Sequence, residues 1–224
     1  MQLSILKAEK RYYRNHGEQN WFYAVAPADC TLESGKLTVL TGRSGSGKTT
    51  LLQMAAGLLA PSAGEVLADG KSLYQMKDGE LSRFRNRHIA VIPQGHSALG
   101  ALTVLENILF AAAMYGKRPE TEKALALMER FGIEGLKDVL PRELSGGEMR
   151  RMAIIRALMQ EADLLLADEP TSDLDDENSR LVLETLKGCA GSGKTVLLVT
   201  HEMNALEYAD VRWKMNSGVL ESAE

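Results

Sequence analysis

The stretch Gly42-Arg43-Ser44-Gly45-Ser46-Gly47-Lys48-Thr49 constrains this chain more than any other. It follows a compact apolar run, Leu37 to Thr41, and leads into good helix formers from Lys48 to Leu59 that stop near Gly57 and Pro61. Strand, glycine-rich loop and helix in that order make a phosphate cradle. The glycines let backbone N–H groups converge without a Cβ in the way, and the helix N-terminus favours an anion. Lys48 is expected to reach the terminal phosphates of a nucleotide, and the Thr49 hydroxyl to ligate Mg²⁺, with Thr50 beside it.

The same spacing recurs at Gly188-Cys189-Ala190-Gly191-Ser192-Gly193-Lys194-Thr195. There the order is reversed: a helical pattern precedes it and the run VLLVT follows. A loop so placed has no downstream helix N-terminus to face a phosphate. It is expected to be a solvent-exposed helix-to-strand turn.

Carboxylates complete the pattern. Leu164-Leu165-Leu166-Ala167-Asp168-Glu169 places adjacent acids at the end of an apolar strand, where open α/β sheets bind ligands. Neighbours on an extended strand point opposite ways, so Asp168 is assigned to Mg²⁺ and Glu169 to the attacking water. Gln94 and His201 end the strand-like runs Val91-Ile92-Pro93 and Val199-Thr200. From there Gln94 can ligate Mg²⁺ or hold water, and His201 can donate to a terminal phosphate.

The remaining chain alternates in character. Leu3 and Ile5, and then Trp21 to Val25, read as strands; Glu33 to Lys36 reads as a turn. Glu65 to Ala68 reads as a strand ended by Asp69-Gly70, and His88 to Ile92 as another strand. Thr103 to Phe131 is helical in pattern, with a Thr103/Glu106 capping box, Gly116 and Gly132 as punctuation and Pro119 in a first turn. Further helices are expected from Ser145 to about Gln160 and from about Asp176 to Lys187. Strand, helix, strand at this spacing gives a mainly parallel α/β sheet with an N-terminal antiparallel β portion. Residues 1–94 and 161–224 would form the nucleotide-binding core, and 95–160 an inserted helical lobe.

Composition removes some classes of partner. A net charge of −4 offers no basic excess for nucleic acid, so no direct nucleic-acid binding is expected. The most apolar stretch, Leu99 to Tyr115, is broken by Gly100, Thr103, Glu106 and Asn107, short of the roughly 20 apolar residues of a membrane helix. The opening MQLSILKAEKRYYRN lacks the order of a signal peptide. Cys30 and Cys189 match no metal-ligand spacing and are expected as small buried hydrophobes in a reducing compartment.

Leu144-Ser145-Gly146-Gly147-Glu148, between the phosphate loop and LLLADEPTSDLD, completes a motif series covering nearly the whole chain. With it the chain resembles the ATP-binding-cassette (ABC) ATPases. The resemblance implies ATP and Mg²⁺ as ligands. It also implies two subunits sandwiching two ATP molecules, with Ser145 and Gly147 gripping the γ-phosphate on the opposite phosphate loop; Gly146 and Glu148 belong to the same seat. Gln94 then corresponds to the Q-loop glutamine, His201 to the switch histidine, Ser172-Asp173-Leu174-Asp175 to the D-loop, and Tyr12 or Tyr13 to the residue that stacks on adenine.

The departures are Asp173, where a small or amide residue is more usual, and Met149-Arg150-Arg151, where glutamines often occur. Neither removes a group expected to touch ATP; both bear on communication between sites. The short tail after Gly218 and the sequence LTVLEN resemble the compact lipoprotein-release, macrolide-export and cell-division proteins. An integral-membrane permease as partner and a place on the cytoplasmic face of the membrane are thereby implied. The rivals are a soluble cassette acting on nucleic acid or ribosomes, and a regulatory cassette that does not hydrolyse ATP.

Overall fold

Two runs that are apolar almost from end to end, Leu164–Asp168 and Thr195–Thr200, are neighbouring parallel strands at the centre of a sheet in the computed structural model. The structure describes residues 1–13, 21–95, 97–114 and 120–223. In chain order the strands are β1 (Leu3–Tyr13), β2 (Trp21–Leu32), β3 (Leu37–Thr41), β4 (Ala63–Ala68), β5 (Lys71–Ser72), β6 (Ile89–Ile92), β7 (Leu164–Asp168), β8 (Thr195–Thr200), β9 (Val211–Asn216) and β10 (Val219–Ser222). The helices are α1 (Lys48–Ala55), α2 (Asp78–His88), α3 (Val104–Met114), α4 (Thr121–Arg130), α5 (Gly146–Met159) and α6 (Asp176–Gly191). One sheet runs β10-β9-β3-β8-β7-β6, parallel except for β10; the other, β2-β1-β4-β5, is antiparallel.

The central strands lack polar alternation because both faces are covered. Leu165, Ala167, Val196 and Leu198 join a core shared with α3, α4, α5 and α6. Leu164, Leu166, Leu197 and Val199 point the other way, into a core shared with α1 and the antiparallel sheet. The carboxyl ends of β3, β7 and β8 therefore emerge side by side between two packed layers.

The mixed α/β fold with an antiparallel N-terminal sheet agrees with expectation, and so does most of the element order. The Thr103/Glu106 capping box is present in both directions. Gly116 and Pro119 lie outside the described residues. The helix after the phosphate loop ends at Ala55 rather than Leu59, because Gly57 adopts φ +67° and closes a Schellman turn. Its bonds are Gly57 N to Met54 O (3.2 Å) and Leu58 N to Gln53 O (3.0 Å). The expected strand at His88 begins at Ile89, since His88 ends α2, an element the apolar pattern does not reveal. Cys30 and Cys189 are free but only half-buried, and burial is the main cause pushing the Cys30 thiol up to about 12.

Candidate functional site

The phosphate loop starts where β3 ends and closes on α1, whose N-cap Gly47 is left-handed at φ +106°. A side chain there would be strained, and its Cβ would collide with the Ala24 carbonyl. A Cβ on Gly42 would likewise strike the Met215 carbonyl. The loop is thus wedged between β2 and the β9–β10 hairpin, which ties to the loop through Gly218 N donating to Ser46 O (2.9 Å) and to β2 through Gly218 O accepting from Ala26 N (2.8 Å). Lys48 is buried, with Nζ donating to Gly42 O (2.8 Å) and Arg43 O (3.1 Å).

Lys48 Nζ also lies 3.8 Å from Glu169 Oε1, and this carboxylate is buried too. Glu169 Oε2 accepts from Thr200 Oγ1 (3.1 Å), His201 N (3.3 Å) and His201 Nδ1 (2.9 Å). An ionised carboxylate only accepts, so the proton of this contact belongs to Nδ1. The strand ends at Asp168, and Glu169 turns left-handed at φ +49°. The extended-strand alternation used above therefore does not apply to this pair; the turn sets the Glu169 direction. Asp168 shares a hydrogen bond with the Thr49 hydroxyl, and burial leads the causes that raise its pKa.

Asp168 Oδ1 is a buried oxygen with no hydrogen-bond partner among the described residues. Beside the Thr49 hydroxyl and the amide of Gln94 it offers the hard oxygen donors that Mg²⁺ takes. Among the described residues no cluster of three or more His, Cys, Asp or Glu forms a metal cage. Sparse protein ligation is what Mg²⁺ shows when phosphates supply the remaining oxygens, so the residues present fit the ion.

A cleft of about 510 Å³ opens above this group, lined by Ser44 to Thr50, Gln94 and Glu169 on one side. Tyr12, Phe22 and Tyr23 form its aromatic wall with Ala24 beside them, and Ser217 and Gly218 close an edge. Tyr12 lines the cleft and is 39% exposed; Tyr13, 80% exposed, does not line it. Gly42, Arg43 and Asp168 lie behind the lining, and His201 reaches the site through Glu169. Phe22, Tyr23, Ala24, Ser217, Gly218 and Thr200 were not identifiable from local motifs. The signal available for the hairpin was Asn216-Ser217-Gly218, whose Ser217 and Gly218 have φ +47° and +86°.

Ser145, Gly146, Gly147 and Glu148 do not line this cleft. They start α5, where Ser145 and Glu148 form a reciprocal capping box. Glu148 Oε2 accepts from Ser145 N (2.7 Å) and Ser145 Oγ (2.7 Å), and these bonds hold the carboxyl below its ordinary range. Asp173, at φ +67°, packs on the same helix start: a Cβ on Gly147 would lie 3.2 Å from its carbonyl oxygen. At the look-alike loop, Gly191 ends α6, Gly193 is left-handed and exposed, and Lys194 Nζ donates to Ala162 O (2.9 Å). It is the helix-to-strand turn expected. No helix of the described residues is long and apolar enough to cross a membrane.

Residues 25–172 match the family model described as ABC transporter. The chain is 39% identical over 202 residues to the lipoprotein-releasing system ATP-binding protein LolD 2 of Chlorobaculum tepidum, covering 87% of this chain and 82% of that protein. It is 32% identical over 226 residues to the macrolide export ATP-binding/permease protein MacB of a Shewanella species, covering 100% of this chain but 35% of that longer protein. Among solved structures, the dimeric MJ0796, a bacterial ABC transporter cassette, superposes with a TM-score of 0.90 at 28% identity, covering 99% of both chains. A second structure of that cassette is a post-hydrolysis state bound to ADP and Pi, with the same TM-score of 0.90.

Proposed function

Since the chain belongs to the ABC transporter family and is an ATPase of that family, we propose that it works in pairs to drive a membrane permease of the lipoprotein-release or macrolide-export kind. The observation that carries the reading is the convergence of Lys48, Glu169 and the partnerless Asp168 oxygen beneath a glycine loop at one end of a cleft. The substrate class is lipoprotein, peptide or drug-like, and the subunit sits on the cytoplasmic face of the membrane through its permease. Residues 1–94 and 161–224 act as the nucleotide-binding core and 95–160 as the helical lobe.

In this reading adenine stacks on Tyr12, and the phosphates lie along the backbone from Gly42 to Thr50. Lys48 exchanges the Gly42 and Arg43 carbonyls for phosphate oxygens. Thr49, Gln94 and Asp168 hold Mg²⁺, whose charge offsets that building on the phosphates in cleavage. Glu169 accepts a proton from the attacking water as its oxygen bonds to the γ-phosphorus and the bond to ADP breaks. The products are ADP and phosphate. Thr200 and His201 fix the Glu169 carboxylate, and His201 donates to the γ-phosphate through Nε2 when both ring nitrogens carry a proton.

Ser145 and Gly147 serve the cleft of the other copy. The carboxylate of Glu148 now engages the Ser145 hydroxyl, so an arriving phosphate competes with it for that donor. Binding closes the pair and hydrolysis reopens it, with catalysis resting on positioning and electrostatics.

Glu169→Gln keeps the hydrogen-bonding shape but removes the base, so it should abolish turnover and trap an ATP-bound dimer. Light scattering after size exclusion, with and without MgATP, reads the mass; a monomer in both conditions would count against the paired reading. A polytopic membrane protein co-purifying from detergent-solubilised membranes would identify the permease.

A further inference from the structure

Arg150, in the second turn of α5, is 2% exposed, yet among the described residues no carboxylate is hydrogen-bonded to it. Its Nη1 donates to Pro93 O (2.6 Å), and its Nη2 to Gln94 O (2.6 Å) and Ser172 Oγ (2.7 Å). Ser172 Oγ donates onward to Glu169 O (2.9 Å). One guanidinium thus spans from a third element the loop carrying Gln94 and the turn carrying Glu169. Burying a cation among neutral acceptors is unfavourable, and Nε adds to the cost because it has no hydrogen-bond partner among the described residues. Fastening a helix to a loop needs no charge. What the charge meets is the field of Asp173, Asp168 and Glu169, which act on it through space. The planar fork, unlike a lysine ammonium, presents several fixed donors at once.

The same helix begins with Ser145, about 7.5 Å away along the axis at 1.5 Å per residue. Its first turn touches Asp173, the residue after Ser172. A displacement of α5 is therefore applied to the Ser172–Asp173 loop through Arg150 and Gly147, and to the Gln94 loop through Arg150 and, at Ser97 O (2.5 Å), through Arg156.

We propose that Arg150 is a positioning residue for ATP hydrolysis, fixing the Gln94 loop against the Glu169 turn so that a shift of α5 moves both together. This rests on the ATPase reading of the site. The expected signature is a loss in turnover with binding preserved, because Arg150 meets the cleft-lining Gln94 only at its backbone carbonyl and does not touch the phosphate loop.

Arg150→Lys, Ser172→Ala and the double variant of the full chain separate the possibilities. Arg150→Lys keeps the buried charge but loses the fork, and Ser172→Ala cuts the link to the Glu169 carbonyl. Each should lower kcat by about fivefold or more while the Kd for MgATP stays within about twofold, as expected for a positioning defect. The double variant should be no slower than the slower single one, since both cut one linkage. Unchanged kcat in both singles, multiplying losses in the double, or losses confined to Kd would overturn the proposal. If Arg150→Lys does not fold, normal turnover in Ser172→Ala overturns it alone. A wild-type chain with no ATPase activity, indistinguishable from Glu169→Gln, would instead overturn the reading of the site itself.

Discussion

Tyr12 and Tyr13 are adjacent and chemically identical, and only backbone direction separates them. On β1 they point to opposite faces, which puts Tyr12 against the cleft with Phe22 6.1 Å away ring to ring, and leaves Tyr13 outside. Base–aromatic stacking is worth about 1–3 kcal/mol. We therefore expect Tyr12→Ala to raise the Kd for ATP by about tenfold and Tyr13→Ala to leave it unchanged, as fluorescence titration would show. Glu148 poses a different question, because it caps α5 with its charge. Its folded pKa is lowered, first by the Ser145 backbone bond and then by the hydroxyl bond. A carboxyl more acidic when folded adds stability above its unfolded value and loses it as pH falls through the lowered one. Glu148→Ala should then cost about 0.5–1 kcal/mol at neutral pH. Urea midpoints should show that gap narrowing below about pH 4, near the unfolded value for a glutamate; a constant gap would mean the cap does not act through its charge.

At the scale of elements, the two glycine loops test whether a spacing or its setting makes a phosphate site. Lys48 opens α1 under a helix N-terminus, whereas Lys194 closes a turn between the end of α6 and β8, where the helix presents carbonyls rather than N–H groups. Lys48→Ala should lower ATP hydrolysis more than about a hundredfold, since it removes a charge aimed at the transferring phosphoryl group. Lys194→Ala should leave activity within about twofold, since it removes only a bond to the Ala162 carbonyl. A phosphate-release assay decides, and equal losses would contradict the geometry. The setting was readable in advance because β8 and α1 carry plain apolar and helical patterns. Other elements were not so readable. In α2 only Leu81 is buried, so no apolar stripe marks it; its acidic first turn (Asp78, Glu80) and basic last turn (Arg85, Arg87, His88) were the available signal. The β9–β10 hairpin buries only Met215 within β9, yet its turn braces the phosphate loop. The same limit applies to Thr200, Ser172 and Arg150: their roles come from contacts across 22 to 57 residues of chain, which no local pattern encodes.

For the molecule as a whole, the proposed phosphate clasp draws both of its halves from one chain, which keeps them apart. Ser145 and Gly147 do not line the cleft, and Arg150 and the Gly147–Asp173 packing hold their helix to the core. A helix so tied cannot swing its own N-terminus over its own phosphate loop, whereas a second copy related by a two-fold axis can bring one to it without internal rearrangement. The dimeric cassette with a TM-score of 0.90 to this chain is in keeping with such a pairing. If each site joins the phosphate loop of one copy to the Ser145 helix of the other, Lys48→Ala disables a site from one side and Ser145→Ala from the opposite side. Each variant alone should lose more than about nine-tenths of its activity, as removal of a phosphoryl-stabilising group does. In a mixed dimer both lesions fall in one site, while the other pairs an intact phosphate loop with an intact helix start. Equal mixing makes half of the dimers mixed, each with one competent site, so hydrolysis should recover to about a quarter of wild type if the sites fire independently. The assay needs only the two variants, mixed before MgATP is added, with native mass spectrometry to verify that mixed dimers form. A mixture no more active than its components, with mixed dimers present, would mean that Ser145 serves its own chain or no nucleotide at all.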